Sequence, residues 1–304
     1  LYEARLSRRV GSSRRAYGYP EWDGTRLEAG SLLILGEQGA GDEIMFSSCY
    51  SDAIARAGDC IIECEPRLAA LFARSFPKAR VVGQPRRGVH PDLVVRPDIA
   101  AQVHCGSLPK FFRLRADAFP RHAGYLVPDR SRANEWRRRL VGGTRKRLLG
   151  ISWCGGLKHT WRSARSIPLQ LFARMLRIPD VEFVSLQHDD DGSAARELAR
   201  LSGSPVHVLP EVFADFDALA ALVASLDGVV TVCSTVVHLS GALGATTLVL
   251  TPKQAEWRYL LEGASMPWYP SVRLFRQSRS GDWEPVIEDV SAELARIPEL
   301  PRSE

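Results

Sequence analysis

Four stretches of this sequence place residues able to bind anions or move protons immediately after short apolar runs. The first is Gly36-Glu37-Gln38-Gly39-Ala40-Gly41-Asp42-Glu43. Its glycines allow a sharp turn and a close backbone approach to a ligand, and they lead into a helix whose first N–H groups favour anions. Asp42 can act as a proton acceptor or as a plain helix-capping carboxylate. A nicotinamide dinucleotide fold competes here, with Glu63 or Glu65 near the distance expected for a ribose-binding acid, but GxxGxG reverses the GxGxxG spacing. The second stretch runs from Cys154-Gly155-Gly156 through Lys158, Arg162 and Arg165 to Pro168, which suits a helix start. Three cations beyond a strand end could grip a diphosphate; the plain alternative is solvated surface charge. The third is Ser185-Leu186-Gln187-His188-Asp189-Asp190-Asp191, where Asp189 and Asp191 either bind a hard divalent cation or cap the following helix, and capping is the preferred reading. The fourth, Thr231 to Gly244, sends an apolar run straight into a small-residue helix, with the Ser234 and Thr235 hydroxyls at its first turn beside free N–H groups and His238 one turn on.

The elements that must position these residues alternate between strand and helix. Apolar runs at 32–35, 60–64, 79–82 and 93–95, then at 148–153, 181–186, 206–209, 229–233 and 246–250, predict strands. Between the first two, Phe46, Tyr50, Ala53, Ile54 and Ala57 form one helical face. Phe216, Leu219, Ala220, Val223 and Leu226 form another, opened by Asp215 and Asp217. Such βαβ alternation predicts an α/β chain with parallel sheets. A basic segment around Arg137 to Arg147, with Gly142 and Gly143, reads as a helix and linker. The expected organisation is therefore two doubly wound domains, 1–140 and 141–280, with a tail at 281–304 that either caps the second domain or crosses back to the first. Ligands of such sheets lie beyond the carboxyl ends of the strands, so the site is expected in a cleft faced by both domains.

Composition agrees with a globular chain. The 304 residues are 45% hydrophobic and 25% charged, enough for two cores and unlike a disordered tail. No apolar run approaches the roughly 18 residues of a membrane span, and the first 20 residues hold arginines in place of a signal-peptide core, which predicts a cytoplasmic protein. The chain starts at Leu1, which suggests a preceding segment. The six cysteines have no CxxC spacing and are expected as free thiols. The net charge of +5 is concentrated in five arginines between Arg5 and Arg15 and in the run from Arg130 to Arg147. Trp136 is the one aromatic residue among them, which gives no stacking platform, so these read as solvated faces and no nucleic-acid partner is expected.

Taken together, several ordered strings resemble a known family. They are Glu37-Gln38-Gly39-x-Gly41-Asp42, Gly150-Ile151-Ser152-Trp153-x-Gly155, Arg165-Ser166-Ile167-Pro168-Leu169, Ser185-Leu186-Gln187, Thr235-x-x-His238-Leu239-x-Gly241-Ala242-Leu243-Gly244, Glu256-Trp257-Arg258-Tyr259-Leu260 and Pro267-Trp268-Tyr269-Pro270-Ser271-x-Arg273-Leu274-Phe275-Arg276-Gln277. Over about residues 20 to 290 the chain resembles the bacterial glycosyltransferase-like domain that often follows tetratricopeptide repeats. It is more distantly similar to lipopolysaccharide heptosyltransferases and O-linked N-acetylglucosamine transferases.

The resemblance implies a GT-B architecture of two Rossmann-like domains facing across a cleft, a nucleotide-diphosphate sugar donor held mainly by the second, a hydroxyl acceptor (protein, glycan or lipid-linked) approached from the first, and an upstream tetratricopeptide partner. It also implies no bound metal and no cofactor. By position, Asp42 matches the proposed general base, with Gly39 and Gly41 in its loop. Arg165 stands near the donor phosphates, and Thr235, His238 and Gly241 fall in the donor-binding turn and helix. Lys158 is expected to assist Arg165, Gln187 to face the nucleoside, Ser234 to contact donor, and Trp257 to line the pocket. Two departures stand out: Ser234 replaces a usual aspartate, and Glu43 a usual small hydroxyl residue. The expected activity is metal-free sugar transfer. A non-catalytic sugar-nucleotide or glycan-binding module is the alternative, and a nucleotide-sugar epimerase the third reading.

Overall fold

In the computed structural model, which describes residues 2–7, 17–94, 96–142, 144, 146–156, 161–188 and 191–297, the apolar run SLLIL forms β1 (Ser31–Leu35). Its last four residues are buried, as a central parallel strand covered on both faces requires. β1 pairs in parallel with β2 (Cys60–Cys64) on one side and β4 (Ile99–His104) on the other, and β3 (Ala79–Gly83) extends the sheet beyond β2. The resulting order is β3-β2-β1-β4. Its crossovers carry α1 (Ala40–Phe46) and α2 (Tyr50–Ala57), α3 (Ala69–Ser75), and α4 (Pro91–Val94), while α5 (Pro109–Phe112) follows β4.

A second compact unit takes over at Pro128 and also includes Arg121–Gly124. It opens with α6 (Arg130–Val141), capped at its start by Asp129, whose carboxylate accepts the Arg132 N–H, and ended by Gly142 in the left-handed conformation. Its seven-stranded sheet comprises β5 (Arg147–Ser152), β6 (Val181–Ser185), β7 (Val206–His207), β8 (Gly228–Val232), β9 (Thr247–Thr251), β10 (Ser265–Met266) and β11 (Tyr269–Arg276). Their order is β10-β11-β9-β8-β5-β6-β7, parallel throughout except where β10 meets β11. The helices are α7 (Leu169–Met175), α8 (Ser193–Ser202), α9 (Phe216–Ala224), α10 (Thr235–Ala242) and α11 (Glu284–Leu294). Leu149, Ile151, Phe172, Phe183, Val230 and Val232 share one buried cluster with Val286, Ile287, Val290 and Leu294 of α11, so that terminal helix seals the second unit's core.

Several sequence expectations are corrected. Of the run at 93–95, Leu93 and Val94 are helical, and residue 95 lies outside the described residues. Pro91 and Asp92 start a short helix in which Leu93 is buried, and the strand that flanks β1 is β4, six residues on from Leu93. Three apolar residues do not define a period, and a proline fixes the first helical φ. The stripe from Phe46 to Ala57 is two helices, separated by a tight turn over Ser47–Cys49. β11 carries no strand signal in the sequence because its burial does not alternate and Pro270 interrupts it. The six cysteines are free thiols, as expected.

The basic run is partly absorbed by the fold. Arg137 pairs at 2.9 Å with the fully buried carboxylate of Asp227, whose other oxygen accepts the Leu148 N–H at 2.6 Å. Arg132 lies 3.6 Å from Asp217, and Arg139 3.6 Å from Glu211. α6 thus docks on α9 with charge matched to charge. No helix among the described residues is long and apolar enough to cross a membrane.

Candidate functional site

In the second unit the chain order of the sheet reverses between β5 and β8, with β6 and β7 on one side and β9 to β11 on the other. Open α/β sheets bind ligands beyond the carboxyl ends of the strands at such a switch point. A pocket of about 440 Å³ lies there, within the range of small-molecule sites. Its walls come from the segments that leave β5 (Trp161, Arg165), β8 (Cys233), β9 (Lys253, Glu256) and β11 (Gln277).

The loop after β5 is pinned at its base. Gly155 N–H donates to the Arg165 carbonyl at 3.1 Å, Ile167 N–H to the Trp153 carbonyl at 3.0 Å, and Cys154 bridges Ser166. Gly155 is dictated by space, since a Cβ there would sit 2.3 Å from the Cys233 carbonyl oxygen. Arg165 is delivered to the pocket wall almost wholly buried, at 8% exposure. Its Nη1 donates to Glu256 Oε1 at 2.8 Å. The other oxygen of Glu256 faces Arg258 Nε at 3.6 Å. Two guanidiniums therefore share one carboxylate, and the amine of exposed Lys253 adds to the positive balance at the rim. A buried cation paired in this way has part of its desolvation cost offset by the carboxylate. Burial pushes the Cys233 thiol up to about 12, so it stays protonated and is no nucleophile near neutral pH.

The remaining expected residues of this unit sit around the same strand ends, in varied roles. Gln187 is buried at the end of β6, where its Oε1 accepts from Ser152 Oγ at 3.1 Å and Cys154 N–H at 3.0 Å, tying β6 to β5. Ser234 is the N-cap of α10. Its hydroxyl accepts the Val236 N–H at 3.2 Å and lies 3.2 Å from the Thr231 hydroxyl. Thr235 is exposed at the first turn. His238 is buried; its Nδ1 lies 3.0 Å from the Tyr269 hydroxyl and its Nε2 3.5 Å from Arg258 Nη1. Burial, helped by the Arg258 charge, holds the imidazole well below its usual range, so it is neutral. Gly241 is where α10 rests on β11, since a Cβ would lie 2.4 Å from the Tyr269 ring. Trp257 is half exposed and packs edge-on to Trp268, away from the residues that line the pocket. Lys158 and Asp189 lie outside the described residues. Asp191 accepts the Ser193 N–H at 2.9 Å, just ahead of Gly192, the N-cap of α8.

In the first unit, Asp42 sits in the opening turn of α1, partly buried, and its Oδ2 accepts the Gly39 N–H at 3.2 Å. The helix start that seemed open to an external anion is thus faced by the chain's own carboxylate. Gly41 is buried beside it. Glu43 points inward, at 1% exposure, and accepts the Glu65 N–H at 2.8 Å; Gly36 has no side chain because a Cβ would lie 2.9 Å from that carboxylate. Across the loop, Tyr2 exchanges hydrogen bonds with Gln38, and Glu37 is held by Arg5 at 2.6 Å. Burial raises the Tyr2 phenol above its usual range, and the nearby Asp42 charge raises it further. The ribose-acid reading of Glu63 or Glu65 fails on geometry. Glu63 is fully buried against the Tyr17 hydroxyl, and Glu65 pairs with Arg67 at 2.9 Å.

Comparison with known proteins places this geometry. No protein-family model matches the chain. It is 31% identical over 312 residues to Protein FlbA of Caulobacter vibrioides, an alignment covering 96% of this chain and 51% of that protein. The chain thus spans about half of that relative's length. E. coli ADP-heptose lipopolysaccharide heptosyltransferase II superposes with a TM-score of 0.62 at 16% identity, covering 88% of this chain and 99% of that one. A glycosyl transferase family 9 structure from Veillonella parvula gives 0.58 at 13% identity, with 92% and 98% covered. E. coli heptosyltransferase WaaC with ADP gives 0.55 at 14% identity, with 90% and 100% covered. The fold is that of GT-B glycosyltransferases. Two parallel-sheet, Rossmann-like units in one chain are what the alternating pattern predicted.

Sequence reasoning missed Glu256, Arg258, Lys253 and Gln277 as site groups. Glu256 and Arg258, like Gln277, lay in strings quoted for resemblance, but nothing local assigns them a role. The Arg165–Glu256 contact joins residues 91 apart, and no spacing rule reaches that far.

Proposed function

We propose that the chain is a glycosyltransferase that moves a sugar from a nucleoside-diphosphate donor to a hydroxyl acceptor without a bound metal. The observation that carries this is the buried Arg165, held by Glu256 beside Arg258 and Lys253 in a pocket at the switch point of the second sheet. A departing nucleoside diphosphate gains negative charge, and fixed cations in a part-buried site stabilise that charge more than water does. The fold shared with heptosyltransferases, one of them solved with ADP, supports the same reading. Arg165 takes the phosphates, and the exposed Thr235 at the start of α10 offers a hydroxyl and backbone N–H on the same side of the sheet. Ser234, whose hydroxyl caps α10, stands where the resemblance implies an aspartate and adds no charge that would repel an anion. Gln187, His238 and Gly241 act as supports: the first ties two strands, and the others set α10 against β11. Asp42 removes the proton from the attacking hydroxyl.

The experiment is product analysis of nucleotide-sugar incubations with and without a cell-derived pool of protein, glycan and lipid acceptors. Transfer predicts free nucleoside diphosphate and a sugar-bearing acceptor in stoichiometric amounts. A changed donor sugar with no acceptor dependence would mark an epimerase, and unaltered donor under every condition a binding module.

A further inference from the structure

We propose that residues Tyr2–Ser7 form a strap that holds the loop leading into Asp42 in its working conformation, with Arg5 and Tyr2 as positioning residues for sugar transfer. This rests on the reading of Asp42 as the base and deepens it. In the order β3-β2-β1-β4 the chain changes side between β1 and β4, so the first sheet has a switch point of its own. The loops that leave those two strands carry Glu37 and Gln38 after β1, and Gly106 and Ser107 after β4. A short 3-10 helix over Tyr2–Ser7 ties the two loops together. Arg5, whose side chain is 11% exposed, sets Nε on one oxygen of Glu37 at 3.0 Å and Nη2 on the other at 2.6 Å, and Nη2 also donates to the Ser107 hydroxyl at 2.9 Å. Glu37 Oε1 accepts the Gly106 N–H at 2.8 Å. Glu3 closes the network, accepting from Arg5 Nη1 at 2.8 Å and from the Ser107 hydroxyl at 3.0 Å.

Space and strain both mark this contact. A Cβ on Gly106 would lie 2.4 Å from Glu37 Oε1 and 3.0 Å from Arg5 Nη2, so the closure needs a glycine there. Next along the loop, Gln38 has φ +63°, a left-handed conformation that a non-glycine residue keeps only where its surroundings impose it. Tyr2 is placed to impose it. Its hydroxyl donates to Gln38 Oε1 at 3.2 Å and accepts from Nε2 at 2.9 Å, while its ring packs 5.7 Å from Phe46, the last residue of α1. Gln38 runs directly into Gly39, whose N–H is held by Asp42. The strap therefore grips the strained residue before α1 and the far end of the same helix. Burial raises the Tyr2 phenol and the Asp42 charge raises it further, so that carboxylate lies within electrostatic reach of the strap.

The test compares the full chain as wild type, Arg5→Ala and Arg5→Lys in initial-rate assays with uridine, guanosine and adenosine diphosphate sugars and the acceptor pool, and in calorimetric titrations with the same donors. Positioning by the strap predicts that Arg5→Ala loses about ten- to a hundredfold in turnover, the scale of a displaced catalytic group, with donor KM and donor affinity within about twofold of wild type. Added methylguanidinium is expected to restore part of that rate and to leave wild type unchanged. Lysine keeps the charge without the fork, so Arg5→Lys is expected between the two. Should Arg5→Ala fail to fold, Tyr2→Phe, which removes only the hydroxyl on Gln38, reads the same turnover. A turnover per folded molecule within twofold of wild type overturns the inference, as does a loss that follows the folded fraction and ignores methylguanidinium. A faster variant would mark Tyr2–Ser7 as a plug over the site and overturns it equally. Each of these leaves the transferase reading intact, whereas a wild type that transfers no sugar removes both.

Discussion

Asp42 carries two duties that one substitution separates. Its carboxylate accepts the Gly39 N–H at the start of α1, and in the proposed mechanism it also takes the acceptor's proton. Asparagine keeps a side-chain oxygen for the cap but cannot serve as a base at neutral pH. Asp42→Asn is therefore expected to fold normally, to bind donor nucleotide within about twofold of wild type, and to lose transfer by about a hundredfold or more, the usual scale of general-base catalysis. Initial rates and donor titrations on the same preparation check this; unchanged turnover would remove Asp42 from the base role. The residue scale is also where the sequence is least legible. Arg165 reads as a cation, but its burial and its carboxylate partner depend on a loop closing onto the turn after β9. Gln277 reads as one polar residue in a motif, and only the Lys253 and Gly281 N–H groups that donate to its oxygen reveal which way its amide faces.

At the scale of elements, the contact of α10 with β11 governs the geometry of the strand ends beneath the pocket. Gly241 lets the helix approach until a Cβ would touch the Tyr269 ring at 2.4 Å, and the Tyr269 hydroxyl reaches His238 on the same helix. Gly241→Ala gains helix propensity but overpacks a buried contact, an effect of typically 1–3 kcal/mol against stability. Urea denaturation is expected to show a lower midpoint at an unchanged slope, the product of shift and slope giving that amount, and an equal or higher midpoint would mean that the helix shifts without cost. Gly241 entered the sequence reading as a donor-binding position; in the structure it is also the point where α10 meets β11. The central strands were plain from their apolar runs, because parallel strands buried on both faces leave no alternation to misread. β11 and the helix at Pro91 escaped for the opposite reason. One mixes buried and exposed positions around a proline, and the other is too short to show a period.

At the scale of the whole molecule, the two Rossmann-like units follow from the βαβ rhythm of the sequence, although β10 and β11 of the seven-stranded sheet do not. The fold is shared with heptosyltransferases at 14–16% identity, so the architecture is common property while the proposed chemistry rests on particular residues of this chain. The chain matches about half of the length of its Caulobacter relative. The decisive measurement is calorimetric titration with uridine, guanosine and adenosine diphosphates and their common sugar conjugates, in magnesium and again in chelator, on wild type and Arg165→Ala. The account predicts one preferred nucleotide, an affinity indifferent to chelation, and a loss of about ten- to a hundredfold in Arg165→Ala, the range for a charge-assisted hydrogen bond. Absence of binding across the series, or an affinity that Arg165→Ala leaves unchanged, would contradict it.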